Sequence, residues 1–284
     1  MVPLRMTPLQ MIPLQMIPLR EVIARHGLAA RHSLGQHFLL DLNLTDRIVR
    51  EAGDLTGRHV IEVGPGPGGL TRSLLASSAA DITAIELDRR AVAAVSELAE
   101  TAGGRLRVIE ADALGLDLTA LTPAPRHVIA NLPYNVASPL LVRWLRQAAS
   151  FERLTLMFQQ EVAERICAEP GTSAYGRLSV LTQWCCDARV AMRIPPAAFT
   201  PPPKVWSAVV ALTPHATQPD PALFGQMEAL TAAAFGQRRK MLRGALRSLG
   251  GEALLAEAAI AADRRAETLT VAEFDRLLHV LANR

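Results

Sequence analysis

From residue 59 onward, short runs rich in Val and Ile alternate with stretches whose apolar positions recur at helical spacing. The runs at 59–64, 81–88, 105–112 and 127–133 read as strands, and 69–77 and 89–102 read as helices between them. Further strands are expected at 154–158, 188–194 and 206–213. Strands separated by helices of this length predict βαβ units and a largely parallel sheet covered on both faces. The fold class is therefore α/β, a doubly wound sheet of seven strands. A stretch rich in Pro, Thr and Asp at 213–221 reads as a linker, and beyond it the pattern is helical to the C-terminus. Residues 31–213 are thus expected as one domain and 222–284 as a small all-helical one.

The first twenty residues repeat a five-residue unit, Met-Val-Pro-Leu-Arg, Met-Thr-Pro-Leu-Gln, Met-Ile-Pro-Leu-Gln and Met-Ile-Pro-Leu-Arg. A proline in every fifth position forbids a regular helix, and four such units cannot bury a core. Residues 1–30 are read as a disordered tail with no assigned function, within which Met6, Met11 and Met16 offer alternative starts. The tail lacks the continuous apolar segment of a signal peptide.

Composition narrows the picture only a little. Half of the 284 residues are apolar and a fifth are charged, and the net charge of +3 permits nucleic-acid binding without arguing for it. The cysteines Cys167, Cys185 and Cys186 are odd in number and lack C-x-x-C spacing, which predicts neither a disulfide framework nor a metal site. Reduced thiols in a cytoplasmic protein are expected, and no apolar run is long enough to span a bilayer.

The chemistry is concentrated at strand ends. Glu62-Val63-Gly64-Pro65-Gly66-Pro67-Gly68-Gly69 closes one strand and opens a helix, where glycines let a ligand approach the backbone. Gly64, Gly66 and Gly69 satisfy a dinucleotide fingerprint; Gly64, Gly66 and Gly68 satisfy the G-x-G-x-G of methyltransferases. Glu86, ending the second strand, suits a ribose-hydroxyl acceptor in either case. The loop and the acid together indicate an adenosine-containing cofactor without naming it. Asp112 ends the third strand, where a carboxylate can accept from an adenine amino group or simply cap a helix.

Asn131-Leu132-Pro133-Tyr134 ends the fourth strand. Asn131 offers a side-chain carbonyl, Leu132 a main-chain carbonyl held extended by Pro133, and Tyr134 an aromatic face. Two acceptors and a stacking plane suit an exocyclic amino group on a planar base. The tetrapeptide resembles the N-[LP]-P-Y signature of amino methyltransferases; by itself it also fits an ordinary strand-to-helix turn.

Taken with Ser33-Leu34-Gly35-Gln36-His37-Phe38-Leu39, Ile85-Glu86-Leu87-Asp88, the segment Phe199-Thr200-Pro201-Pro202-Pro203-Lys204-Val205-Trp206-Ser207 and Phe235-Gly236-Gln237-Arg238-Arg239-Lys240, these motifs stand in a telling order. The chain resembles the ribosomal RNA adenine N6-dimethyltransferases, in particular their bacterial small-subunit type, over roughly residues 30 to 280. The resemblance implies a Rossmann-like methyltransferase sheet with a small C-terminal helical, RNA-contacting domain, and S-adenosylmethionine as cofactor. It implies cofactor contacts at His37, Leu39, Gly64, Gly66, Glu86, Asp112 and Asn131. His37 departs from the family, which usually has Asn there. The implied catalytic set is Asn131, Leu132, Pro133, Tyr134 and Phe199, with the two rings enclosing a base taken out of its stack. The implied reaction places two methyl groups on N6 of each of two adjacent adenosines near the 3′ end of 16S rRNA, with the small ribosomal subunit as partner and the enzyme a cytoplasmic monomer. Arg238, Arg239, Lys240, Arg243 and Arg247, on a predicted helix, are the expected RNA surface; Arg31 and His32 are candidates for a second patch. Three other readings stand beside this one: the sister enzyme acting on 23S rRNA, an NAD-dependent oxidoreductase, and an assembly factor working mainly by binding.

Overall fold

The computed structural model describes residues 17–30, 35–237 and 239–284. The repeats before Ile17, together with Arg31, His32, Ser33, Leu34 and Arg238, lie outside the described residues. Nine strands are described: β1 (Phe38–Leu39), β2 (His59–Val63), β3 (Asp81–Glu86), β4 (Leu106–Glu110), β5 (Arg126–Asn131), β6 (Arg153–Gln159), β7 (Cys186–Ile194), β8 (Phe199–Thr200) and β9 (Ser207–Pro214). Seven of them form one mixed sheet of an α/β fold. β2, β3, β4 and β5 stop one or two residues short of the sequence-based bounds at their carboxyl ends, where the chain turns out into loops, whereas β6, β7 and β9 reach or pass theirs.

The chain divides into two compact units, Met1–Asn135 with Pro195–Lys204, and Val136–Ile194 with Val205–Arg284. In the first, the strands run in the order β4-β3-β2-β5, all parallel. Val60 and Ile61 on β2, and Ile82 and Ala84 on β3, are fully buried, as expected where helices cover both faces. From β2 the chain steps outward to β3 and β4, then returns to β5 on the other side of β2. The order therefore reverses between β2 and β5, and in open α/β sheets the ligand crevice lies at the carboxyl ends of the strands flanking such a reversal. Gly64 follows β2 and Asn131 ends β5. A short antiparallel pair, β1 with β8, places Leu39 opposite Phe199.

The expected tail does not extend to residue 30. Leu19–Arg25 is a helix with Leu19 and Val22 buried, and Val22 and Leu28 pack with Ala91 and Ala94 of the helix Arg89–Thr101. The last repeat proline, Pro18, stands at the N-cap, where a proline starts a helix rather than breaking it.

In the second unit β6, β9 and β7 are antiparallel, a departure from a wholly parallel sheet. β7 carries a bulge between Val190 and Met192. The linker at 213–221 is not a boundary between the units. The helices Phe224–Phe235 and Val271–Ala282 pack against Arg177–Cys185: Trp184 Nε1 donates to Asp275 Oδ1 at 2.8 Å, and its ring lies 6.1 Å from that of Phe224. Trp184 and Tyr175, which precede the linker, complete the core of these helices. Among the described residues, no helix is long and apolar enough to cross a membrane.

Candidate active site

The glycine loop and the end of β3 are joined by one carboxylate. Glu86 Oε2 accepts from Gly66 N at 3.1 Å, while Oε1 accepts from Leu87 N at 2.8 Å and Asp88 N at 2.9 Å. Burial raises the Glu86 pKa, and the three main-chain donors pull it back. With three of about four acceptor directions used, one remains for a ligand hydroxyl. Gly66 has φ of 55°, and a Cβ there would press on the Phe38 ring. A side chain at Gly69, the first residue of the helix Gly69–Ala76, would collide with the main-chain carbonyl of Leu39. The two fingerprints found in the sequence thus separate: Gly64, Gly66 and Gly68 serve left-handed turns, and Gly69 serves packing against β1.

Beneath this loop Glu62 is 1% exposed, and neither carboxylate oxygen has a hydrogen-bond partner. Burial pushes its pKa up to about 8; the nearby Thr71 hydroxyl lowers it and the Glu86 charge raises it. Sequence reasoning did not single out Glu62, although an acid inside an apolar strand was the available signal. Asp112 is exposed and caps the turn Ala113–Gly115, its Oδ1 accepting from Leu114 N at 2.9 Å. The capping role is thus realised, and Oδ2 is left as an acceptor.

Across the crevice, Asn131 Nδ2 donates to the main-chain carbonyl of His37 at 3.2 Å. A carbonyl can only accept, so the amide nitrogen must face His37, and Oδ1 is the end presented elsewhere. Leu132 is buried and Pro133 lies 3.5 Å from where a Gly64 side chain would begin. The Tyr134 ring stacks on the His37 imidazole, with centroids 5.5 Å apart, and Phe199 meets the same imidazole edge-on at 6.5 Å. His37, Asn131, Tyr134 and Phe199 are therefore neighbours, as are Leu39, Gly66 and Glu86 around the loop.

A second network went unseen in the sequence. Asp88 caps the helix Arg89–Thr101, accepts from Gln36 at 3.1 Å and pairs with Arg90 at 2.6 Å. The Arg90 hydrogen bond holds the Asp88 carboxyl down at about 2. Arg90 also donates to the carbonyl of Gly27 at 2.6 Å, which ties the N-terminal segment to the end of β3.

The basic residues do not share one helix. Arg239 and Lys240 lie in a turn after the helix Phe224–Phe235, Arg243 lies in the short helix Leu242–Ala245, and Arg247 opens a 3₁₀ turn. All four are exposed, and Arg243 approaches Glu252 at 3.9 Å. Gly236 caps the long helix, and a side chain there would press on the Ala232 carbonyl.

This arrangement fits a cofactor with an adenosine part. The glycine loop admits close approach, Glu86 and Asp112 each keep an acceptor, and the buried Glu62 lies on the strand that leads into the loop. Comparison with known proteins decides which kind. Residues 27–283 match the family model described as ribosomal RNA adenine dimethylase. The chain belongs to the ribosomal RNA adenine dimethylase family. Ribosomal RNA small subunit methyltransferase A of Gluconobacter oxydans is 64% identical over 260 residues, covering 91% of this chain and 86% of that protein. The protein of the same name from Rhodospirillum rubrum is 57% identical over 253 residues, covering 89% and 88%. Among solved structures, a dimethyladenosine transferase from Plasmodium falciparum superposes with a TM-score of 0.74 at 26% identity, over 87% of this chain and 98% of that one. The 23S rRNA methyltransferase ErmE gives 0.67 at 26% identity, over 86% and 99%. As a ribosomal RNA adenine dimethylase, the chain is an enzyme that uses S-adenosylmethionine to methylate rRNA adenine. The oxidoreductase reading, which left Asn131-Leu132-Pro133-Tyr134 without a role, is set aside.

Proposed function

We propose that this chain dimethylates N6 of two adjacent adenosines near the 3′ end of 16S rRNA, acting on the small ribosomal subunit as a cytoplasmic monomer. The names and high identity of the two bacterial relatives support the choice of subunit. The observation that carries the chemistry is the bond from Asn131 to His37, which leaves Oδ1 as the acceptor for a substrate amino group.

The glycine loop at Gly64 and Gly66, the carboxylates of Glu86 and Asp112, and the main chain of His37 and Leu39 would hold S-adenosylmethionine, with Asn131 beside them. When bound, this cofactor supplies an electrophilic methyl group on a sulfonium sulfur. The N6 lone pair of adenine is delocalised into the ring and is a poor nucleophile. Asn131 Oδ1 and the Leu132 carbonyl accept the amino hydrogens and favour a more pyramidal nitrogen, and Pro133 keeps the Leu132 carbonyl in an extended chain. Tyr134 and Phe199 offer ring faces to a base removed from its stack, which fixes its orientation and excludes water. No strong base is needed in this scheme. Arg239, Lys240, Arg243 and Arg247, with Arg238, pair with rRNA phosphates.

The test is methylation of immature small subunits with labelled cofactor, with large-subunit RNA as control. Label in dimethyladenosine of 16S rRNA alone is the expected result. Label in 23S rRNA alone, or stable binding without label, overturns the assignment.

A further inference from the structure

Three segments distant in sequence meet at the imidazole of His37. Its Nδ1 lies 2.8 Å from the carbonyl oxygen of Pro201, its face stacks on Tyr134, and Phe199 meets it edge-on. The Pro201 carbonyl can only accept, so Nδ1 must carry the hydrogen, and the bond exists in both the neutral and the protonated ring. Pro201, Pro202 and Pro203 follow Phe199 and Thr200. Three consecutive prolines have no main-chain N–H, so this segment can enter hydrogen bonds only through its carbonyls. His37 supplies that donor two residues from Phe199, and the pairing of β1 with β8 begins immediately beside it, at Phe38 and Thr200.

We propose that the His37 side chain is a positioning residue for the target base: by donating to Pro201 while packing on Tyr134, it sets the separation and tilt of the Tyr134 and Phe199 rings. This rests on the reading above that those two rings face the adenine. It assigns the imidazole to the base slot, so that the cofactor contact implied at position 37 would be made by the main chain. A purely structural ring would need only its faces; a positioning donor needs the Nδ1 hydrogen. The two requirements are separable, because phenylalanine keeps the ring without the donor and asparagine keeps a donor at nearly the same reach without the ring.

The experiment compares wild type, His37→Phe, His37→Leu and His37→Asn for methylation of immature small subunits, with S-adenosylmethionine affinity measured by calorimetry on the same preparations. Retained cofactor affinity shows that each variant is folded around the glycine loop. The expected result is a fall in kcat of about tenfold or more for His37→Phe and His37→Leu. His37→Asn should recover most of that loss, and cofactor affinity should stay within about twofold throughout, well below the loss of a hydrogen bond to a charged group. Wild-type turnover in His37→Phe overturns the proposal, because the donor would then be dispensable. Cofactor affinity falling in step with turnover also overturns it, because the side chain would then belong to the cofactor site. A wild-type enzyme that fails to methylate adenosine removes the functional reading itself and the proposal with it, an outcome visible in the first lane of the same assay.

Discussion

Asn131 donates an amide hydrogen to the carbonyl of His37, 3.2 Å away, and this one bond orients the acceptor that the proposed mechanism uses. Asn131→Ala removes the acceptor. Asn131→Asp keeps an acceptor but sets a carboxylate against the His37 carbonyl with no hydrogen to share. Both variants should lose about 100-fold or more in kcat, since the interaction is needed as charge develops at N6. Single-turnover methylation of small subunits checks this. Near-normal turnover in the aspartate variant would mean that the His37 bond does not orient the site.

Stacking needs the ring of Tyr134 and not its hydroxyl. Tyr134→Phe should therefore stay within a few-fold of wild-type turnover, roughly the effect of one hydrogen bond or less. Tyr134→Ala should be severely impaired. Equal damage in the two variants, measured as kcat/KM on small subunits, would rule out a stacking role.

Glu86 accepts from Gly66 N at 3.1 Å, and in the proposed function its remaining acceptor faces the cofactor. Glu86→Ala should weaken S-adenosylmethionine binding by about 1–3 kcal/mol, the scale for losing hydrogen bonds to a charged group. Calorimetry with S-adenosylmethionine, and with NAD as the control ligand, reads this directly. An unchanged affinity would place the ribose elsewhere.

Glu62 gives the folded protein a pH dependence of known sign. Burial raises its pKa from 4.5 to about 8, so between those values the folded state holds a proton that the unfolded state has released. Stability from this group is complete below pH 4.5 and is lost as pH rises towards 8. Glu62→Gln, which mimics the protonated acid, should lack that loss and gain stability relative to wild type as pH rises through the window. Urea unfolding of the ligand-free protein at several pH values tests it. A constant difference between the two proteins would mean that Glu62 is ionised in the fold.

Arg239, Lys240, Arg243 and Arg247 are exposed and belong to a different compact unit from the glycine loop. Replacing all four with Ala should leave cofactor affinity unchanged and weaken small-subunit binding. It should also lower the salt dependence by about 0.7–0.9 in logarithmic slope for each phosphate that is no longer neutralised. Binding measured at two salt concentrations distinguishes this from damage to the fold, and an unchanged slope would reduce these residues to a solvated surface.

Local chemistry explains how much of this was readable in the chain. Val60, Ile61, Ile82 and Ala84 announce buried parallel strands because both their faces are covered, and that requirement is written in consecutive residues. The same holds for Gly64 to Gly69, Glu86, Asp112 and Asn131, which interrupt apolar runs where the chain must turn out into a crevice. The antiparallel course of β6, β9 and β7 was not readable, because alternation and apolar content say nothing about direction. Nor was the helix Leu19–Arg25: its stability comes from Ala91 and Ala94, some seventy residues away.

The sequence by itself therefore determined the strands, the family and the residue types at each strand end, since these follow from local patterning and short motifs. Tertiary structure alone decided that Asn131 turns its amide nitrogen to His37, that Glu62 is buried, and that His37 joins Tyr134 to the proline segment. These depend on which groups meet across the first unit. Hydrogen bonds and desolvation act between neighbours in space, whatever their distance along the chain.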